Sequence, residues 1–303
     1  MPMGKTETAE TYLRPEIIQK VSRLDLRARF IVQGFLAGLH SSPYQGFSSE
    51  FSEHRRYAVG DDIKDLDWNV YARTDRYYIK RFHAETNMRC YLVLDASESM
   101  AYTYRQEFTK LDYAICLAAS IGYLMVHQQD AVGLVTFDEE PTGFLPAKSK
   151  LKHLSDILGM LARAHRHRKT NLPKALHNVA EIIPKRSMVM IFTDLLAEPE
   201  AVIESLHHVR YRGHDVIIFQ VLDEAEAGFP FSRLTRFVDP ETGEHLDVDA
   251  LAIRDSYLEE MRRFVEHYRR KCYEARIDFV QVDTSMSFDR ALLPYLASRK
   301  ARF

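Results

Sequence analysis

Five short apolar runs constrain the fold of this chain more than any other feature: residues 90–95 (CYLVLD), 131–137 (AVGLVTF), 187–194 (SMVMIFTD), 215–223 (DVIIFQVLD) and 277–283 (IDFVQVD). Strands with so few polar positions must be covered on both faces, and here they alternate with helical stretches. That alternation predicts an α/β fold with a mostly parallel central sheet and helices on both sides. A short hairpin arm is expected at EEPTGFLPA, residues 139–147. Helical periodicity is clear in residues 111–128 and 250–272, and their apolar stripes read as core faces. The stretch RLTRFVDPETGEHLDVD reads as a hairpin turning at residues 240–243.

Upstream the pattern is different. Apolar residues recur every three or four positions from Pro15 to His40, as in one amphipathic helix. A loop follows at residues 40–50, then a charged, turn-rich stretch with a strand expected at RYYIKRF, residues 76–82. This first section contains little core of its own and is expected to lean on the remainder of the chain. The chain is therefore divided at residues 1–88 and 89–303.

The chain has 303 residues, 46% hydrophobic and 28% charged, which suits a globular protein with a sizeable core. A formal net charge of -2 supplies no global positive field, so neither nucleic acid nor an anionic membrane is an expected partner. Three cysteines (Cys90, Cys116 and Cys272) are odd in number and far apart, which argues against a disulfide framework and fits a reducing cytoplasm. The longest nearly apolar run, residues 114–126, is too short to span a bilayer, and no membrane insertion is expected.

In an open α/β sheet, ligands bind beyond the carboxyl ends of the strands. Asp95 ends the first apolar run, with Ser97 and Ser99 in the turn after it; Asp194 ends another run in the same way. Thr170 lies shortly before Pro173, a residue suited to a helix's first turn, so its hydroxyl also belongs at a helix start. Five oxygen ligands with only two full negative charges describe a site for a small hard cation, Mg²⁺ or Mn²⁺. So low a charge leaves such an ion electron-poor, ready for a carboxylate from a partner.

Asp95-x-Ser97-x-Ser99, Thr170 and Asp194 resemble, in order and context, the metal-ion-dependent adhesion site (MIDAS) of von Willebrand factor type A domains. The likeness covers about residues 89–290. Arg168 and Lys169 stand where such domains commonly carry glycines. The first section is similar to the signature of the bacterial domain-of-unknown-function family number fifty-eight. The matching residues are Gly46, Ser49-Glu50-Phe51, Arg56 with Tyr57, Gly60-Asp61-Asp62, Asp67-Trp68 and Ala72-Arg73. This resemblance implies a partner, a MoxR-type AAA+ ATPase, and a role in chaperone-like assembly or maturation. Many relatives carry membrane-spanning helices before the signature, and this chain resembles the short soluble form.

Other clusters have plainer readings beside sharper ones. Asp61, Asp62 and Asp67 are paired carboxylates of the kind that hold metals in phosphodiester hydrolases, the alternative function. They also suit ion pairs with Arg55, Arg56, Arg73 and Arg76, with Trp68 as a packing anchor. The run RAHRHRK, residues 163–169, is ordinarily a solvated charge run. Beside the expected metal, its Arg166, Arg168 and Lys169 are candidates for steering an acidic partner. Asp61, Asp62 and Trp68 are candidates for a second partner surface. His207 and His208 show no metal spacing and read as surface or packing residues. With neither a G-x-S-x-G nor a phosphate-binding G-x-x-x-x-G-K motif, the chain reads as a non-enzymatic, metal-dependent protein-interaction module.

Overall fold

The computed structural model describes residues 13–41, 54–56, 78–80, 89–104, 108–164, 171–238 and 243–293. Its centre is a six-stranded sheet formed by β3 (Arg89–Asp95), β4 (Ala131–Phe137), β5 (Pro141–Lys148), β6 (Met188–Thr193), β7 (Asp215–Leu222) and β10 (Asp278–Asp283). The spatial order is β10-β7-β6-β3-β4-β5. Neighbours pair in parallel except β5, which runs antiparallel to β4 at one edge. Two small antiparallel ribbons stand apart from it: β1 (His54–Arg56) with β2 (Tyr78–Lys80), and β8 (Leu234–Val238) with β9 (His245–Asp249). The sheet is mostly parallel, and all five apolar runs are strands in it.

Strand β3 shows why the runs lack polar positions. Cys90, Leu92 and Leu94 point into one apolar core, while Tyr91 and Val93 point into the other. Each fully buried aliphatic side chain contributes about 1.5–3 kcal/mol, so a polar residue on either face would be costly. At Gly133 on β4, a Cβ would meet Tyr91 Cε1 at 2.5 Å and the Leu145 carbonyl at 2.7 Å, so only glycine fits between them.

The first core is covered by α3 (Lys110–His127) and α4 (Leu151–Ala162), the second by α5 (Leu172–Ile182), α6 (Pro199–Tyr211) and α8 (Ala250–Glu274). The stripe on α3 is a core face: Leu111, Ala114, Ala118 and Met125 are buried. On α8 the buried residues are Ala250 at its start and Val265, Tyr268 and Cys272 in its second half, while Leu251 is exposed.

The amphipathic helix expected over residues 15–40 is two helices, α1 (Pro15–Ile18) and α2 (Leu24–Ser41), with residues 19–23 between them. Arg27 accounts for the break. Its guanidinium donates from Nε to the Val21 carbonyl at 2.5 Å and from Nη2 to the Gln19 carbonyl at 3.0 Å. These bonds satisfy carbonyls that a helix end leaves open. The apolar phase survives the break: Leu13, Ile18, Ala28, Ile31, Val32 and Phe35 are buried in the same core as α3 and β3. The amino-terminal helices thus share the sheet's core instead of building one.

Candidate metal centre at the carboxyl edge of the sheet

From β3 the chain steps to β4 on one side, and after β5 it crosses over to β6 on the other. The carboxyl ends of β3 and β6 therefore flank the point where strand order reverses, the usual ligand crevice of an open α/β sheet. Asp95 is the last residue of β3, and Asp194 comes directly after the last residue of β6.

Asp95 is buried and held at both oxygens. Oδ1 accepts the Ser97 backbone N–H at 2.9 Å, and Oδ2 accepts the Thr193 hydroxyl at 2.7 Å. The Leu195 N–H donates to Thr193 Oγ1 at 3.2 Å, so the end of β6 fixes the carboxylate that ends β3. A short 3₁₀ turn (Ser99–Ala101) bends the chain back after Asp95 and brings Ser97 Oγ within 3.0 Å of Ser99 Oγ. Burial pushes the Asp95 carboxyl up to about 7, and the neighbouring Asp194 carboxylate adds to it; the bonds from Thr193 and Ser97 act the other way.

Asp194 is buried as well. Its Oδ1 accepts the Leu196 N–H at 3.1 Å, and its Oδ2 accepts from Lys110 Nζ at 2.9 Å. Lys110 also reaches Glu226 Oε1 at 2.7 Å and is itself fully buried. Two helix starts hold this arrangement. Thr109 and Asp112 form a capping box that opens α3 at Lys110, and Asp223 and Glu226 form another that opens the short α7 (Glu224–Gly228). Burial by itself would lower the Lys110 pKa, but Asp194 and Glu226 more than offset it, so the pKa is raised and the ammonium stays charged. Burial raises the Glu226 carboxyl, with Lys110 opposing.

Directly after Asp194, Leu195 adopts a left-handed backbone at φ 61° while its side chain is fully buried. Such a conformation costs a non-glycine residue of order 1–3 kcal/mol. Packing in the second core holds it there, and the turn brings the Leu196 N–H onto Asp194 Oδ1.

These donors fit a small hard cation. The 3.0 Å between the two serine hydroxyls matches the roughly 2.9 Å edge of an octahedron with Mg²⁺–O bonds of about 2.0–2.1 Å. Each Asp95 oxygen keeps a second lone pair beyond its hydrogen bond. The Asp194 charge acts on Asp95, a repulsion that a bound cation would relieve. Asp194 is the least available donor, since Lys110 already neutralises it.

The structure brings Asp95, Ser97, Ser99 and Asp194 to one edge. Thr170 lies outside the described residues, as do Arg166, Arg168 and Lys169; so do Asp61, Asp62, Asp67 and Trp68. The helix after Thr170 starts as expected, with Pro173 in its first turn and Asn171 capping it by accepting the Lys174 N–H at 3.1 Å. Sequence reasoning missed Thr193 and Lys110. Thr193 adjoins a predicted ligand, and Lys110 sits inside the T-x-x-D capping signal, so local cues existed for their positions but not for their partners.

Residues 53–267 match the family described as "Protein of unknown function DUF58". The chain belongs to that family. Two relatives are described as uncharacterized proteins. One from Mycobacterium tuberculosis is 27% identical over 249 residues, 80% of this chain and 77% of that one. YeaD of Bacillus subtilis is 28% identical over 126 residues, 41% of this chain and 29% of that one. Among solved structures, BatB of Bacteroides thetaiotaomicron superposes with a TM-score of 0.46 at 17% identity, covering 71% of this chain and 100% of its own. The SpRpn10 VWA domain gives 0.39 at 12%, covering 69% and 94%. In this DUF58 chain the sheet runs β10-β7-β6-β3-β4-β5, and an oxygen-rich turn with Ser97 and Ser99 follows the end of β3. Among the described residues, no helix is long and apolar enough to cross a membrane.

Proposed function

We propose that this DUF58 chain is a cytoplasmic, non-enzymatic protein-interaction module whose binding depends on Mg²⁺ or Mn²⁺ at the carboxyl edge of the sheet. Asp95, Ser97 and Ser99 would hold the ion directly, with Asp194, and Thr170 as the resemblance implies, completing the set. When bound, the ion supplies a coordination position for an aspartate or glutamate of the partner. The chain's own residues orient that position. Thr193 and the Ser97 N–H fix the Asp95 carboxylate, and the ion pair with Lys110 keeps the site from being strongly negative.

The observation that carries this reading is the convergence of the Ser97 and Ser99 hydroxyls, 3.0 Å apart, on a buried aspartate at the switch point. Hydroxyl ligands leave unsatisfied positive charge for a partner, which a carboxylate-rich calcium site does not. The partner proposed is a MoxR-type AAA+ ATPase or its client, in chaperone-like assembly or maturation, as the family resemblance implies.

Calorimetric titration of Mg²⁺ and Mn²⁺ into metal-stripped protein, beside Asp95→Asn, tests the site. Binding to wild type that Asp95→Asn abolishes supports it. Equal binding by both proteins places the ion elsewhere. Capture of the purified ATPase in Mg²⁺ but not in chelator supports the partner.

A further inference from the structure

We propose that His177, Glu181 and His208 form a second metal site, for a transition-metal ion of the Zn²⁺ class, where α5 lies against α6. His177 and Glu181 are four residues apart on α5, which sets both on one face of that helix. His208 comes from the facing side of α6. One ligand atom from each residue lies within 4.8 Å of the other two. The imidazole rings of His177 and His208 stack with centroids 4.3 Å apart, and His208 Nε2 is 3.3 Å from Glu181 Oε1.

Ligands of a tetrahedral zinc with bonds of about 2.0–2.1 Å stand roughly 3.3 Å apart, so the three groups must close by up to about 1.5 Å. His177 and Glu181 are exposed and His208 is half-buried, so side-chain rotation supplies that movement without disturbing the core. Two imidazoles and one carboxylate are the donor set of an open zinc site with solvent in the fourth position. Imidazole nitrogen suits Zn²⁺, Ni²⁺ or Co²⁺ and suits Mg²⁺ poorly, so this site is chemically distinct from the oxygen-only crevice. It is also spatially distinct: Glu181 lies nine residues into α5, about 13 Å along the helix from the end nearest that crevice. The bound ion links α5 to α6.

Arg212 Nη1 already contacts Glu181 Oε1 at 2.6 Å. The carboxyl of Glu181 is accordingly lowered, first by the His208 bond and then by Arg212. A surface ion-pair patch has the same geometry, but the two readings respond oppositely to loss of Arg212. In a metal site Arg212 competes with the ion; in an ion-pair patch it only supports Glu181.

The test is Zn²⁺ calorimetry on the untagged full chain carrying Asp95→Asn, so that the carboxyl-edge site does not contribute and its failure is scored separately. Co²⁺ absorption reports coordination geometry in the same background. One Zn²⁺ per chain is expected. His177→Ala and Glu181→Gln are each expected to weaken it by more than the roughly 10–100-fold typical of losing an outer-shell partner, and Arg212→Ala is expected to tighten it. Failure to bind Zn²⁺, unchanged binding in His177→Ala, or weaker binding in Arg212→Ala overturns the proposal.

Discussion

Lys110 Nζ lies 2.9 Å from Asp194 Oδ2, with side-chain exposures of 0% and 3%, although 84 residues separate the two in sequence. A buried ion pair is an uncertain source of net stability, but breaking one leaves the surviving charge without compensation. Lys110→Met is therefore expected to destabilise the fold by about 3–5 kcal/mol, measured by urea melts in chelator. It also frees Asp194 for an incoming cation. Mg²⁺ should raise the melting temperature of Lys110→Met more than that of wild type; an equal rise in both would mean that Lys110 does not compete at this carboxylate.

Asp95 makes the metal-free fold sensitive to pH. Its carboxyl is raised from an ordinary 3.8 to about 7 by burial and by Asp194. Between those values the folded chain holds a proton that the unfolded chain has lost, so stability falls as pH rises through that window and levels off above about 7. Glu226, also raised by burial, adds a change of the same sign. Lys110 is raised too, but its contribution is lost only at alkaline pH, outside the window. Melts of wild type and Asp95→Asn at pH 5 and pH 8 in chelator isolate the Asp95 share. Wild type should lose more stability than the variant between the two, and Mg²⁺ should restore it at pH 8. Parallel losses would remove Asp95 as the cause.

Thr193 is not itself an expected ligand, but its hydroxyl donates to Asp95 Oδ2 at 2.7 Å. Residues that orient a metal ligand typically cost roughly 10–100-fold in metal affinity when removed. Thr193→Val keeps the side-chain shape in a fully buried position, and a loss of Mg²⁺ affinity in that range is expected with secondary structure unchanged. Unaltered affinity would mean that Asp95 is held without it.

The parts of this structure that were legible in the sequence are those specified by local pattern. A strand buried on both faces has to be apolar throughout, so β3, β4, β6, β7 and β10 announce themselves, and their carboxyl ends locate Asp95 and Asp194. What was not legible depends on pairing across the fold. Lys110 reads locally as the first residue of a capped helix, and nothing near it names Asp194 or Glu226. The break between α1 and α2 was hidden because the apolar phase runs through it, while the Arg27 bonds that stabilise it go to backbone carbonyls. His208 showed no metal spacing because its neighbours His177 and Glu181 belong to another helix.

The amino-terminal section was expected to lean on the rest of the chain, and Phe35 offers a direct test of that dependence. It lies on α2, is 2% exposed, and shares the core formed by β3, α3 and α4. Removing such a side chain costs about 3–5 kcal/mol, a large part of the roughly 5–15 kcal/mol that holds a typical domain folded. Phe35→Ala should therefore lower one cooperative transition in which helix and sheet signals melt together. If α2 folded as a separate unit, the sheet would keep its wild-type midpoint and only a small helical fraction would melt early. A shared midpoint shifted to lower urea would show that the sheet bearing Asp95 and Asp194 draws stability from α2, so a fragment beginning at residue 89 would lose core as well as length.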